Sequence, residues 1–186
     1  AAGRVCLDKT NISIVGQKQV EPCDIYEVVD DQAVLHCVKI STLSAQLSHL
    51  FNQGTNSVNL MRSEQQALEN MKELVGAGRP DPEREALVAP LANNKFRVVF
   101  GIVTHKDKAD LSNNLPLFSR ISLMRCMKEL RRMGVDAEYC FIPDTSPATA
   151  VVTLDGRFRV GPLRGRHVKG LAEHIGITAR RAALER

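Results

Sequence analysis

The chain has 186 residues, of which 44% are hydrophobic and 25% are charged. This balance is typical of a folded globular protein and excludes disordered, collagenous and membrane-spanning classes. The longest apolar stretches, such as residues 98–103, end at charges far short of the roughly 20 residues that a membrane-spanning helix needs. At this length we expect one domain with at most a small appendage.

The net charge of +4 is unevenly placed along the chain. Residues 156–186 carry eight basic and two acidic side chains, a net of +6, so residues 1–155 sum to −2. A basic end on a nearly neutral body is typical of a protein with an anionic partner such as nucleic acid. A solvated tail explains the same charge, and both interpretations stay open.

The five cysteines are odd in number, widely spaced and never arranged as Cys-x-x-Cys. Such spacing is not typical of a disulfide framework or a zinc site, and it favours a reducing, cytoplasmic setting. The chain begins with Ala1-Ala2-Gly3, in which no secretory signal is visible.

The first 40 residues predict three short strands. Alternating apolar residues indicate strands at residues 11–15, 23–29 and 33–40. The break at residues 30–32 is short enough for a hairpin, so the second and third strands are predicted to be antiparallel neighbours.

Helical spacing follows these strands. Ser41-Thr42 offers an N-cap, and apolar residues recur at helical spacing until Gly54, which we interpret as a stop signal. A second helix is predicted over residues 58–75, and a short third helix over residues 83–91.

The second half of the chain returns to strands. Residues 96–103 are apolar and β-branched, as a strand buried on both faces must be, so they belong inside the sheet. A helix is predicted over residues 118–133, followed by a strand at 137–142. Residues 148–160 predict a hairpin around an Asp-Gly turn, and residues 167–186 a helical stretch interrupted by glycines.

This element order predicts an α/β fold with a mixed central sheet flanked by helices. The strand-helix-strand unit favours a parallel pair with a right-handed crossover, joined to an antiparallel meander. The order of three strands, helix, strand, helix, strand is similar to the core of restriction-endonuclease-like nucleases. We assign the core domain to residues 1–143 and a basic appendage of hairpin and helix to residues 144–186.

The same resemblance implies a metal site. In such cores an acidic residue on the second strand and an acid-x-Lys pair on the third meet at one sheet edge. There the carboxylates hold Mg²⁺, and the lysine lies beside the attacking water or the scissile phosphate. The matching residues are Asp24, the predicted metal ligand, and Lys39.

This sequence departs from the nuclease pattern at Cys37, which occupies the position of the second acidic residue. A soft thiolate is a poor Mg²⁺ ligand. Glu21 and Gln53 are the candidates for support at the site. The alternative is structural: Asp24 caps a turn, Lys39 ends an exposed strand, and Cys37 is a core residue.

Basic side chains on the predicted helix over residues 118–133 are candidates for nucleic-acid contact. They either form a solvated face or bind phosphates. With two arginines of the basic end, the candidates are Arg125, Lys128, Arg132, Arg164 and Arg166.

Several motifs resemble a sporadically distributed bacterial family of unknown function, linked with mobile elements and genome defence. They are Leu7-Asp8-Lys9, Glu21-Pro22-Cys23-Asp24, Val38-Lys39, Ser48-His49-Leu50-Phe51-x-Gln53-Gly54 and Leu115-Pro116-Leu117-Phe118-Ser119. The resemblance covers residues 7–142. Family members are usually longer, so it implies that this chain is a C-terminal portion. The family tends to have His at the position of Cys37.

Together these features predict a nucleic-acid-acting domain of a defence or mobile-element protein, with a Mg²⁺-dependent nuclease of nonstandard site as the specific candidate. The alternative is a noncatalytic module that binds nucleic acid or protein through a degenerate nuclease-like fold. A protein partner or a homo-oligomer stays open, and no membrane partner is expected.

Overall fold

A computed structural model describes residues 3–14, 16, 19–40 and 43–145, and the backbone of two strands within 149–161. Four α-helices and seven strands are described, in this order: β1 (Val5–Cys6), β2 (Ile25–Val29), β3 (Gln32–Ile40), α1 (Ser44–Ser63), α2 (Gln65–Gly76), α3 (Asp81–Ala92), β4 (Phe96–Thr104), a 3₁₀-helix (Lys108–Asn114), α4 (Leu117–Arg132), β5 (Asp136–Pro143), β6 (Thr149–Val152) and β7 (Phe158–Gly161).

Five strands form one mixed sheet in the order β1-β2-β3-β4-β5. The pairs β1–β2 and β2–β3 are antiparallel, whereas β3–β4 and β4–β5 are parallel. The predicted mixed α/β fold is therefore confirmed, as are the hairpin and the parallel strand-helix-strand unit. Strand β4 is buried along nearly its whole length, as its apolar sequence predicts.

All four described helices contribute to one core cluster on one face of the sheet. Leu35 and Cys37 of β3 lie on this face, as does Phe100 of β4. The Phe100 ring contacts Phe51 of α1 edge to face, with 5.4 Å between ring centroids. The Tyr26 hydroxyl donates a 2.6 Å hydrogen bond to a carbonyl of α3.

The predicted first strand is wrong. Residues 11–14 form no strand, because the Asn11 side-chain oxygen accepts hydrogen bonds from the Ser13 N–H, the Ser13 hydroxyl and the Val20 N–H. These bonds fold the segment into a loop. The first strand is instead β1, which pairs with β2 at Cys6 opposite Ile25.

The predicted helix end at Gly54 is also wrong. Helix α1 continues through this residue to Ser63, and the break before α2 comes at Glu64, whose backbone is extended. A methyl group at Gly54 would lie 2.8 Å from side-chain atoms of both Val98 and Phe100. This glycine therefore allows the helix to approach β4 closely.

The predicted C-terminal hairpin agrees with the backbone of β6 and β7, which pair antiparallel with Val152 opposite Phe158. The N-cap predicted at residues 41–42 and the helical stretch predicted at 167–186 lie outside the described residues. The domain boundary after residue 143 stays a prediction.

Among the described residues, none of the helices combines the length and apolar character needed to span a membrane. All five cysteines are free thiols.

A charged network lies on the sheet face opposite the main core. The Glu27 carboxylate accepts a 2.9 Å hydrogen bond from Nε2 of buried His36 and a 2.8 Å hydrogen bond from Nε of Arg4. The bond from His36 is the largest of the effects that lower the pKa of Glu27 to about 2, from an ordinary value of 4.5.

Replacement of Gly54 by Ala is expected to destabilise the protein by about 1–3 kcal/mol, because the added methyl group overpacks the contact with β4. Gly3→Ala is the matched control, since a methyl group there meets nothing closer than a 3.7 Å contact with Glu83. Urea denaturation measures both variants. Equal stability of the two would contradict the close approach of α1 to β4.

Glu27→Gln is expected to remove stability that depends on pH. Because the pKa of Glu27 is lowered in the folded state, its charged form stabilises the protein above about pH 4.5, and this stability is lost as pH falls toward 2. The variant should lose at most about 3 kcal/mol at pH 7, and its deficit should narrow below pH 4.5 in urea denaturation. Glu85→Gln, at an exposed position of α3, is the control and should show no such dependence.

Candidate functional site

Asp24 lies immediately before β2 and is 8% exposed. Its backbone N–H donates a 2.9 Å hydrogen bond to the carbonyl of His36, and its carbonyl accepts one of 2.8 Å from the N–H of Leu7. The carboxylate accepts a 2.7 Å hydrogen bond from the backbone N–H of Val38. Both neighbouring strands thus hold the position of this acid.

Asp24 and Lys39 lie close enough for their charges to interact. Ile25 pairs with His36 of β3, and Lys39 follows three residues later on the same strand. Asp24 itself precedes β2, and its N–H bonds to the carbonyl of His36. The positive charge of Lys39 acts to lower the pKa of Asp24.

Two further acids join Asp24. Carboxylate oxygens of Asp8, Glu21 and Asp24 all lie within 4.8 Å of one another. Asp8 follows β1, and the backbone N–H of the next residue, Lys9, donates a 2.7 Å hydrogen bond to Glu21. The Glu21 carbonyl also accepts a 3.2 Å hydrogen bond from the Ser57 hydroxyl of α1. We call Asp8, Glu21 and Asp24 the acidic cluster.

Asp24, the buried member of the acidic cluster, holds a carboxyl group where water is scarce. Burial, together with the charges of Glu21 and Asp8, raises the pKa of Asp24 from 3.8 to about 6. The hydrogen bond from Val38 and the charge of Lys39 oppose this shift without cancelling it. A cation between the carboxylates would relieve the repulsion.

The acidic cluster fits a hard divalent cation. Mg²⁺ takes oxygen ligands at about 2.0–2.1 Å in octahedral geometry, so two of its ligands lie about 3–4 Å apart, and carboxylate oxygens within 4.8 Å of one another are near enough to share one such ion. Cys37 does not fit, since burial raises the pKa of its thiol well above the ordinary value and keeps it protonated. Asp8 is the third carboxylate of the acidic cluster.

A cavity of about 580 Å³ opens beside the acidic cluster, and Glu21 belongs to both. The side-chain nitrogen of Gln53 is buried and has no hydrogen-bond partner in the described part of the chain. The cavity lies between the loop before β2 and one side of α1. Its lining residues are Lys9, Gln19, Val20, Glu21, His49, Asn52, Gln53 and Asn56.

The structure brings the predicted catalytic residues Asp24, Lys39, Glu21 and Gln53 to one region of the molecule. The predicted nucleic-acid contacts are placed differently. Residues 125, 128 and 132 are exposed on α4, where these cations (Arg125, Lys128, Arg132) form no ion pair within the described residues and do not line the cavity. Arg164 and Arg166 lie outside the described residues.

Asp8 was missed as a site residue. The first strand was predicted at residues 11–15, so the edge of the sheet was expected there and not near Asp8. The true edge strand is β1. Buried Val5 and Leu7 alternate with exposed Cys6. This short alternation, followed by an acid in a turn, is the signal that points to Asp8.

Fold and site together define a mixed α/β protein with a carboxylate cluster at the edge of its sheet. The chain belongs to the family described as "Family of unknown function (DUF6119)", whose model matches residues 1–143. Neither the curated proteins nor the solved structures include a significant match to this chain.

Asp24→Asn is expected to stabilise the protein in the absence of divalent cations. Because the pKa of Asp24 is raised in the folded state, ionisation of this acid costs stability as pH rises from about 4 to above 6. Asparagine retains an oxygen for the Val38 N–H without the charge, so the variant should gain up to about 3 kcal/mol at pH 8. Urea denaturation in EDTA at pH 4 and pH 8 measures the difference. A loss of stability at pH 8 would contradict the electrostatic cost assigned to Asp24.

Proposed function

We propose that this chain is a nucleic-acid-acting domain that hydrolyses phosphodiester bonds with the help of Mg²⁺. One observation carries the proposal: the carboxylates of Asp8, Glu21 and Asp24 lie within 4.8 Å of one another, and the positive charge of Lys39 acts on Asp24. Metal-assisted phosphodiester cleavage needs this combination of hard ligands and a nearby cation. The strand order, similar to that of restriction-endonuclease-like nucleases, supports the same proposal.

The acidic cluster would hold the metal ion through three carboxylates. Held by these residues, Mg²⁺ would polarise a phosphoryl oxygen and lower the pKa of a coordinated water. Lys39 contributes an ammonium group that donates hydrogen bonds to a phosphate oxygen or to the attacking water. Gln53 offers its unpaired amide N–H groups to a substrate oxygen at the neighbouring cavity.

The exposed cations of α4 support a nucleic-acid partner. Arg125, Lys128 and Arg132 point to solvent and are available to phosphates. The biological setting that we propose, genome defence or a mobile element, rests on the resemblance noted in the sequence.

Cys37 favours a second candidate function, a noncatalytic module that binds nucleic acid or protein. Cys37, two residues before Lys39, is a buried, protonated thiol where nucleases of the similar fold have an acid. A module of this kind would bind nucleic acid with an affinity that falls steeply with salt and would never cut it.

Cleavage and cation binding, measured separately, test the proposal. Plasmid, single-stranded DNA and RNA are incubated with the protein in Mg²⁺ or Mn²⁺, and calorimetry measures Mn²⁺ binding. Asp8→Asn and Asp24→Asn should weaken Mn²⁺ binding and reduce cleavage about 100-fold or more, because they remove ligands. Lys39→Ala should reduce cleavage by about 100-fold while Mn²⁺ binding persists.

Glu73→Gln, at an exposed position of α2, is the control and should change neither quantity. Absence of both Mn²⁺ binding and cleavage in the unaltered protein would refute the metal site. Absence of cleavage together with salt-dependent binding of nucleic acid would establish the noncatalytic module instead.

A further inference from the structure

The cavity beside the acidic cluster has its own chemistry. Side chains of α1 at helical spacing form one of its walls: His49, Asn52, Gln53 and Asn56. Three of these four carry carboxamides, which donate and accept hydrogen bonds at once. The opposite wall includes Lys9, a cation.

These polar groups are available to a ligand. The Gln53 side-chain nitrogen is buried without a hydrogen-bond partner among the described residues, a costly state that a ligand acceptor would relieve. The Asn52 side-chain oxygen lies 3.9 Å from the sulfur of Cys126. The NH₂ group of Asn52 therefore points away from Cys126. Phe, Tyr and Trp are absent from the lining residues, so the carboxamides are the main groups that would hold a planar ligand, by its edge.

The size and position of the cavity limit the ligand. A volume of about 580 Å³ lies within the range of pockets that hold one small molecule. Glu21 lines the cavity and also belongs to the acidic cluster. A ligand in the cavity would therefore have one of its own groups beside the carboxylates. A nucleotide meets this requirement when its base lies in the cavity and its reacting phosphate lies beside the carboxylates.

We propose that this cavity binds one unpaired nucleotide of the substrate strand, with its base against Asn52, Gln53 and Asn56 and its phosphate near Lys9. Carboxamides pair with the hydrogen-bonding edges of bases, and lysine pairs with phosphate. The base edges that fit such a pocket are engaged with the opposite strand in a duplex, so the base must be unpaired to enter. The chain therefore prefers single-stranded nucleic acid. This inference rests on the proposed function, since it places the nucleotide next to the metal site.

The test measures binding of a short fluorescein-labelled single strand of mixed sequence by fluorescence anisotropy. A blunt hairpin duplex of the same length is the competing ligand, and each titration is run in Ca²⁺ and in EDTA, with a gel to confirm that the strand stays intact. The double variant Asn52→Ala, Asn56→Ala should weaken single-strand binding about tenfold. Asn93→Ala, an exposed asparagine outside the cavity, is the matched control and should leave the affinity unchanged.

Calorimetry of Mn²⁺ binding to the double variant separates the two proposals. A tenfold loss of single-strand affinity with unchanged Mn²⁺ binding supports the nucleotide pocket. Unchanged affinity for the single strand, or equal affinity for the duplex, overturns it and leaves the metal site intact. Failure of the unaltered protein to bind Mn²⁺, together with an amide-dependent affinity for the single strand in EDTA, refutes the metal site and supports the pocket.

Discussion

The hydrogen bond from the Val38 N–H to the Asp24 carboxylate is the interaction on which the site depends. It joins the beginning of β2 to the end of β3, and the backbone bonds of Asp24 to Leu7 and His36 extend the connection to β1. Two strands and the segment after β1 are thus held at one point of the sheet. The acidic cluster and the position of Lys39 both follow from this arrangement.

Charge at this point is kept against a cost in stability. Burial and the neighbouring acids raise the pKa of Asp24 to about 6, so the ionised form is disfavoured in the folded protein. An amide side chain would keep an acceptor for the Val38 N–H without the cost of a buried charge. Retention of a charge that destabilises the fold is typical of sites whose charge serves a function.

Much of this architecture is predictable from the sequence, because a buried strand has an apolar pattern that is visible without knowledge of the strands it pairs with. The apolar pattern of β4 gave its correct position inside the sheet, and Lys39 lies near the end of β3 as predicted, whereas Asp24 lies just before β2 and not on it. Gly54 was misinterpreted, since its role depends on the side chains of β4 and not on its neighbours in the chain. Asp8 reaches the site only because β1 pairs with β2. A strand of two residues gives too short an alternation to be predicted from the sequence.

Residue 37 is a cysteine where the nuclease pattern has an acid. The third carboxylate of the acidic cluster therefore comes from a different part of the fold. Cys37 packs in the main core, and its fully buried side chain allows the sheet to meet α1 without a further charge. Asp8 comes instead from a turn at the edge, stabilised by the bond between the Lys9 N–H and Glu21. A turn adjusts its backbone more readily than a paired strand does. The position of Asp8 therefore depends on Glu21, and loss of the Glu21 carboxylate would disturb two of the three members of the acidic cluster at once.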